Sequence, residues 1–209
     1  MPDYAALKNK VNEMAERKWD EAGIKARIDK MSAEGIPRKV LNPKELLANK
    51  EQILDRVQLR AEEYCYVLKN CAQASALALM EEFGQGSMEI VQALATFPGI
   101  AGTGSVCGGV TGSLSNIGLY LGRDDLPASV DTGQAMGIAN SFVNSFEENL
   151  GRKNCADIIE TVTIGYKLNP GESAAAMETF AKEKGFEKCC MVPGIGARLA
   201  AEHIIDSMK

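Results

Sequence analysis

The sequence predicts an all-α fold, a single helical bundle domain with an N-terminal helical arm. Three observations predict it. Apolar residues recur at helical spacing through most of the 209 residues. Caps and stops for helices punctuate the chain at short intervals. No five-residue run alternates convincingly between apolar and polar, and only Glu160 to Gly165 (ETVTIG) is β-tolerant. A chain of this length buries a core without metal or disulfide staples, so a bound metal would serve function more than folding.

Residues 1–42 form the expected arm, with one amphipathic helix over 1–36. Leu7, Val11, Met14, Ala15, Trp19 and Ala22 recur at helical spacing among charges, and the pattern ends near Gly35 and Pro37. The bundle domain follows over 43–209. Asn42 and Pro43 supply an N-cap and a first-turn proline, and no glycine or proline then intervenes from Lys44 to about Phe83, which predicts one long helix stopped by Gly84. Its Ala-rich second half (CAQASALALM) belongs in the core. Ser87 caps a short helix through Ala95 that stops before Pro98, and the glycine-rich stretch PGIAGTGSVCGGVTG leads into a helix from about Ser105 to Leu121. Further helices are expected over 131–150, 154–164, 171–184 and 188–208, separated by Gly151, Gly165, Pro170-Gly171 and Gly185.

Charge narrows the partners. The net charge is −5, with lysines and arginines spread along the chain, so there is no basic footprint for nucleic acid or an anionic membrane. The first thirty residues are highly charged and lack an apolar core segment, which argues against a secretory leader and for a cytoplasmic protein. Residues 90–122 carry no charge, but Pro98 and repeated glycines break the apolar run, and Ser, Thr and Asn fill much of it. No membrane span is expected, and the segment reads as tightly packed and buried.

Several chemistries find no motif. The glycine-rich stretch lacks the Lys followed by Ser or Thr of a phosphate-binding loop and the third glycine of a dinucleotide fingerprint. The single histidine, His203, sits among Ala200, Ala201, Ile204 and Ile205, which leaves histidine-rich metal sites and Ser-His-Asp catalysis little to work with. No CxxCH for a c-type haem occurs. No pair among the 28 acidic residues stands out as catalytic.

Six cysteines remain, at positions 65, 71, 107, 155, 189 and 190, with no CxxC among them. In a reducing compartment they are not a disulfide framework, so they are either small buried hydrophobes or reactive thiols. On one continuous helix, Cys65 lies about 120° around the axis from Cys71, which sets the two on different sides. Cys107 falls where a glycine-rich turn enters a helix, and free N–H groups and the helix dipole there favour a thiolate. Cys155 falls in the first turn of its expected helix, and Cys189 and Cys190 near the start of the last one.

These segments resemble a known family, the redox-active proteins named for a C-GCAxxG-C-C cysteine pattern, similar segments of which occur in split-Soret cytochromes. The resemblance is carried by Asn70-Cys71-Ala72-Gln73-Ala74, by Cys107-Gly108-Gly109-Val110-Thr111-Gly112 with Leu114 and Gly118 to Arg123 downstream, by Phe146 to Cys155, and by Cys189-Cys190 before the closing helix. It covers roughly residues 60–208. Gly109 stands where the family usually has alanine, the final cysteine is doubled, and Cys65 and the arm fall outside the pattern.

The resemblance implies a redox protein. Its cysteine set, Cys71, Cys107, Cys155 and one of Cys189 or Cys190, is all sulfur and suits a [2Fe-2S] or [4Fe-4S] iron-sulfur cluster, or zinc less well, because zinc would need no redox partner. Backbone N–H groups around Cys107, with Gly108 first, would tune such a cluster. The leading expectation is therefore electron transfer with a redox partner protein. One alternative is a metal-free dithiol-disulfide oxidoreductase in which Cys107 attacks and Cys71 or Cys155 resolves. Another is a helical scaffold or partner-binding subunit with buried cysteines, and the arm is a candidate surface for homo-oligomer formation.

Overall fold

The computed structural model describes residues 2–122 and 133–208, so Arg123 and the first two residues of the helix expected over 131–150 lie outside the described residues. The helices are α1 (Tyr4–Glu16), α2 (Glu21–Glu34), α3 (Pro43–Ala48), α4 (Lys50–Leu68), α5 (Cys71–Phe83) and α6 (Met88–Ala93). Next comes a single turn, α7 (Gly99–Gly102), and then α8 (Gly108–Leu121), α9 (Gly133–Leu150), α10 (Cys155–Ile158), α11 (Ala174–Lys182), α12 (Gly185–Cys189) and α13 (Met191–Asp206). The fold is all-α: among the described residues the only β pairing is one isolated bridge between Val106 and Asn154. No helix among them is long and apolar enough to cross a membrane.

Two expected helices are broken, both by side chains that cap better than they propagate. The helix expected over 1–36 is two helices. Asp3 accepts the Ala6 N–H at 3.0 Å to start α1, and Asp20 accepts the Gly23 N–H at 3.0 Å to start α2. Between them Trp19 leaves the helical path and stacks on Tyr66, with ring centroids 5.1 Å apart. The arm does not project from the bundle. Met14, Ile24, Ile28 and Met31 join the core, and Arg17 donates at 2.8 Å to Glu62, which is only 2% exposed on α4.

The helix expected over 44–83 is three. Asn49 ends α3, and a sharper break follows α4, where Lys69 adopts a left-handed conformation (φ +52°) and Asn70 caps α5 by accepting the Gln73 N–H at 3.0 Å. A left-handed lysine costs about 1–2 kcal/mol. The Asn70 cap offsets about 1 kcal/mol of that. The Lys69 ammonium adds contacts with the Tyr66 ring at 4.2 Å and with Glu187 at 3.6 Å. Asn70→Ala is expected to lower the melting temperature by about 2–4 °C, corresponding to about 1 kcal/mol, in a thermal melt followed by circular dichroism.

Helices α4, α5, α8 and α13 pack on one another at the centre, and α9 lies against α8 and α13. Small residues set the spacing. Ala72, Ala74, Ser75, Ala76 and Ala78 on α5 are all buried, and a Cβ on Gly112 of α8 would run into the Ala72 carbonyl oxygen and the Ser75 hydroxyl. On the other side of α8, a Cβ on Gly109 would lie 3.3 Å from Pro193 Cα, so glycine at this position answers the close approach of α13. The expectation that the uncharged stretch over 90–122 is buried on all sides holds only for its part in α8: residues 107–117 are mostly buried, whereas Phe97 and Ile100 before them are exposed. Asn116, buried within it, donates its side-chain amide to the Gly112 and Ala76 carbonyls at 3.1 and 3.3 Å.

Candidate redox-active cysteine site

All six cysteines are free thiols and converge on one region. Cys71 begins α5 and Cys107 is the N-cap of α8, and the Cys71 sulfur lies against Gly108, close enough to the Cys107 thiol for the two to perturb each other. Two local features put them there. The Lys69–Asn70 break turns α5 so that its first residue faces α8. The segment before α8 is pinned to the one before α10, with Cys107 N–H donating to Lys153 O at 2.9 Å, Cys155 N–H to Ser105 O at 2.7 Å and Ala156 N–H to Gly104 O at 3.0 Å.

The first-turn N–H groups of α8, on Gly108 and Gly109, have no partners inside the helix. Both reach the Cys71 sulfur, and that of Gly109 reaches Cys107 as well. The expectation of a thiolate on Cys107 is thereby corrected. The thiol proton of Cys107, donated to Cys71, holds the Cys71 thiol below the ordinary cysteine range, and the N–H groups of Gly108, Cys71 itself and Gly109 reinforce this against the opposing effect of burial. Cys107, the donor in that contact and 5% exposed, is pushed well above the ordinary range. Cys71 is also the more accessible of the two, being half-buried. Gly108 matters here because a Cβ would occupy the space of the Cys71 sulfur.

A cavity of about 180 Å³ opens beside this pair, lined by Cys65, Cys71, Cys155 and Cys189 together with Pro98, Ile159, Phe180 and Phe186. It is comparable to a cavity of ~150 Å³ that admits a benzene-sized guest. Its outer wall is the α7 turn, where Ile100 (φ +47°) and Ala101 (φ +56°) are left-handed. That conformation is strained for a β-branched residue. Gly99 lies against Cys155, where a Cβ would be 3.2 Å from the Cys155 Cβ, and the Asn169 amide donates to Gly102 O at 3.2 Å.

The remaining thiols do not behave as helix N-termini suggested. Cys155 starts α10, but that helix has only four residues, and burial followed by the Cys71 charge pushes its thiol up to about 12. After α10 the backbone widens into a π-helix over Ile159–Thr163, a form frequent at functional sites. This places the Thr163 hydroxyl 3.8 Å from the Cys189 thiol, which donates to it. Cys189 is not at the start of the last helix but at the end of α12, and burial pushes its thiol well up. Cys190, fully buried at the junction with α13, does not line the cavity and donates to Phe186 O at 3.2 Å.

Cys65 is the residue that sequence reasoning missed. The 120° separation from Cys71 assumed a continuous helix, and the Lys69 break cancels it. Cys65 instead lines the cavity with Cys71, and the neighbouring Cys190 helps to push its thiol well up. The signal was available in the Lys69-Asn70 pair, since asparagine before an alanine-rich run is a helix N-cap. His203 stands apart from the cysteines, its Nε2 3.1 Å from the Ser145 hydroxyl, with its pKa lowered by burial.

No curated protein and no solved structure shows significant similarity to the chain. A family model described as "Putative redox-active protein (C_GCAxxG_C_C)" matches residues 69–202, a span that contains Cys71, Cys107, Cys155, Cys189 and Cys190 and begins just after Cys65. With about two thirds of its length matched, the chain belongs to the C_GCAxxG_C_C family of redox-active proteins.

Proposed function

We propose that the chain is a dithiol-disulfide redox protein working through Cys71 and Cys107. The observation that carries this reading is the place of the Cys71 sulfur against Gly108 at the N-terminus of α8, beside the N-cap Cys107 and within reach of the free N–H groups of Gly108 and Gly109. The roles reverse those expected from the sequence: Cys71 attacks and Cys107 resolves. The Cys71 thiolate attacks one sulfur of a partner disulfide, forming a mixed disulfide and releasing one partner thiolate. Cys107 then attacks the Cys71 sulfur, its proton leaving with the second partner thiolate. Two electrons pass to the partner, which is reduced to two thiols, and Cys71 and Cys107 end as a disulfide. A redox partner protein or a small disulfide fits this step.

A second reading, electron transfer through an iron-sulfur cluster, is favoured by a different observation: thiols from four segments line one cavity. All-sulfur donors suit such a cluster in kind. Among the described residues no group of three or more His, Cys, Asp or Glu side chains is arranged to hold a metal ion. Cys71, Cys155 and Cys189, with Cys107 or Cys65, would be the residues to hold it, and Gly108 and Gly109 would offer N–H donors to sulfur. When bound, a cluster would supply one-electron transfer.

One experiment separates the two. Protein prepared anaerobically is split, one half incubated with iron and sulfide and followed by absorbance and EPR, the other half kept metal-free and treated with oxidised glutathione. A Cys71–Cys107 disulfide in the metal-free half, found by peptide mass spectrometry, is the expected result. A cluster spectrum with no such disulfide would overturn the dithiol reading in favour of the second.

A further inference from the structure

We propose that Cys65 and Cys190 form a second dithiol that shares the cavity with the first and takes up its disulfide, so that the chain stores four electrons and not two. This rests on the dithiol reading above. Cys190 is the neighbour that perturbs the Cys65 thiol most, as Cys107 is for Cys71, and Cys65 lines the same cavity as Cys71. The pairs are built alike. In each, one cysteine lines the cavity (Cys65, Cys71) and its partner lies behind it, with Cys190 at 0% and Cys107 at 5% exposure.

The elements that hold the second pair are independent of the first. Cys65 sits in the last turn of α4, and Cys190 at the α12–α13 junction, where its thiol is steadied by Phe186 O. Position dictates the order of events. Cys65 is only 4% exposed, so a disulfide in solution does not reach it, whereas Cys71 is half-buried and lines the same cavity.

The exchange balances without any further reagent. Cys65, as its thiolate, attacks the Cys71 sulfur of the Cys71–Cys107 disulfide, forming a Cys65–Cys71 bond and releasing Cys107, which takes the proton. Cys190 then attacks the Cys65 sulfur, forming Cys65–Cys190 and releasing Cys71 as a thiol. Two electrons and two protons have moved from the second pair to the first, which is then free to react with another partner disulfide.

The test uses the full-length, metal-free, reduced chain with oxidised glutathione as the oxidant, alkylation of remaining thiols under denaturing conditions, and peptide mass spectrometry over time. The Cys71–Cys107 linkage is expected first and the Cys65–Cys190 linkage after it, with about four electrons lost per chain at the end point. In Cys190→Ala a Cys65–Cys71 linkage accumulates. Should that variant fail to fold, Cys65→Ser serves instead, with uptake limited to about two electrons. If Cys71–Cys107 forms fully while Cys65 and Cys190 remain alkylatable, the second dithiol is refuted and the dithiol reading stands. If no disulfide forms, both fall.

Discussion

Cys71→Ser is expected to reduce disulfide exchange to background, a loss of about 10³-fold or more, on the scale of removing an enzyme nucleophile. Cys107→Ala is expected to do something different. It removes the hydrogen-bond donor that is the largest contributor to the low Cys71 pKa, while leaving the N–H groups of Gly108 and Gly109 in place. Cys71 should still react with a disulfide, but the reaction stops at the mixed disulfide and its pH profile moves upward. The check is the rate of iodoacetamide labelling of Cys71 against pH in the wild type and in Cys107→Ala, with peptide identification of the labelled site. If Cys107 proved to be the residue labelled at low pH in the wild type, the assignment of attacker and resolver would be reversed.

The same contacts leave a mark on stability. The folded-state pKa of Cys71 is lowered, so its contribution is present above the unfolded value and lost as pH falls through the lowered folded value. Cys155 acts in the opposite sense. Raised from 9.0 to about 12, it contributes stability below 9.0 and loses it as pH rises towards 12. Cys65 and Cys189 are shifted in the same direction as Cys155. Stability carried by the cysteines should therefore peak near the ordinary thiol pKa and fall on both sides, as denaturant titrations over that range would read.

The helical class and the close-packed glycines of α8 were legible because each rests on local pattern, period, caps and a turn entering a helix, whereas the grouping of Cys71 with Cys107 followed from the family resemblance. The breaks were not, although their residues were in view. Asp20 and Asn70 are good caps, but whether a cap interrupts a helix or is carried along inside it depends on what tertiary contact rewards the break. Here the rewards are Trp19 on Tyr66 and Lys69 against Tyr66 and Glu187, from segments far apart in sequence. The reach of the α8 N–H groups was similarly hidden. Sequence places free donors next to Cys107, yet both of them also reach the thiol that the neighbouring helix delivers, Cys71, while Cys107 keeps only that of Gly109.

The largest structural effect is expected on α8, where two glycines six residues apart, Gly112 and Gly118, should respond with opposite signs. At Gly112 an added methyl meets the Ala72 carbonyl, which is backbone in the first turn of α5 and cannot rotate away, and the Ser75 hydroxyl. Helices α5 and α8 must separate to admit it. Overpacking of this kind costs about 3 kcal/mol, so Gly112→Ala is expected to lower the melting temperature by about 6–12 °C. At Gly118 nothing lies within 4 Å of the added methyl and the position is exposed, so Gly118→Ala gains helix propensity, about 0.8–1 kcal/mol and a rise of about 2–4 °C. Differential scanning calorimetry of the two variants reads both. The consequence reaches the site, because the spacing between α5 and α8 is also what brings Cys71 against Cys107 and the Gly108 and Gly109 N–H groups. Gly112→Ala should slow formation of the Cys71–Cys107 disulfide even at temperatures where the variant is fully folded, whereas Gly118→Ala should leave it unchanged. Equal disulfide rates in the two folded variants would show that the thiol contact does not depend on the close approach of these helices.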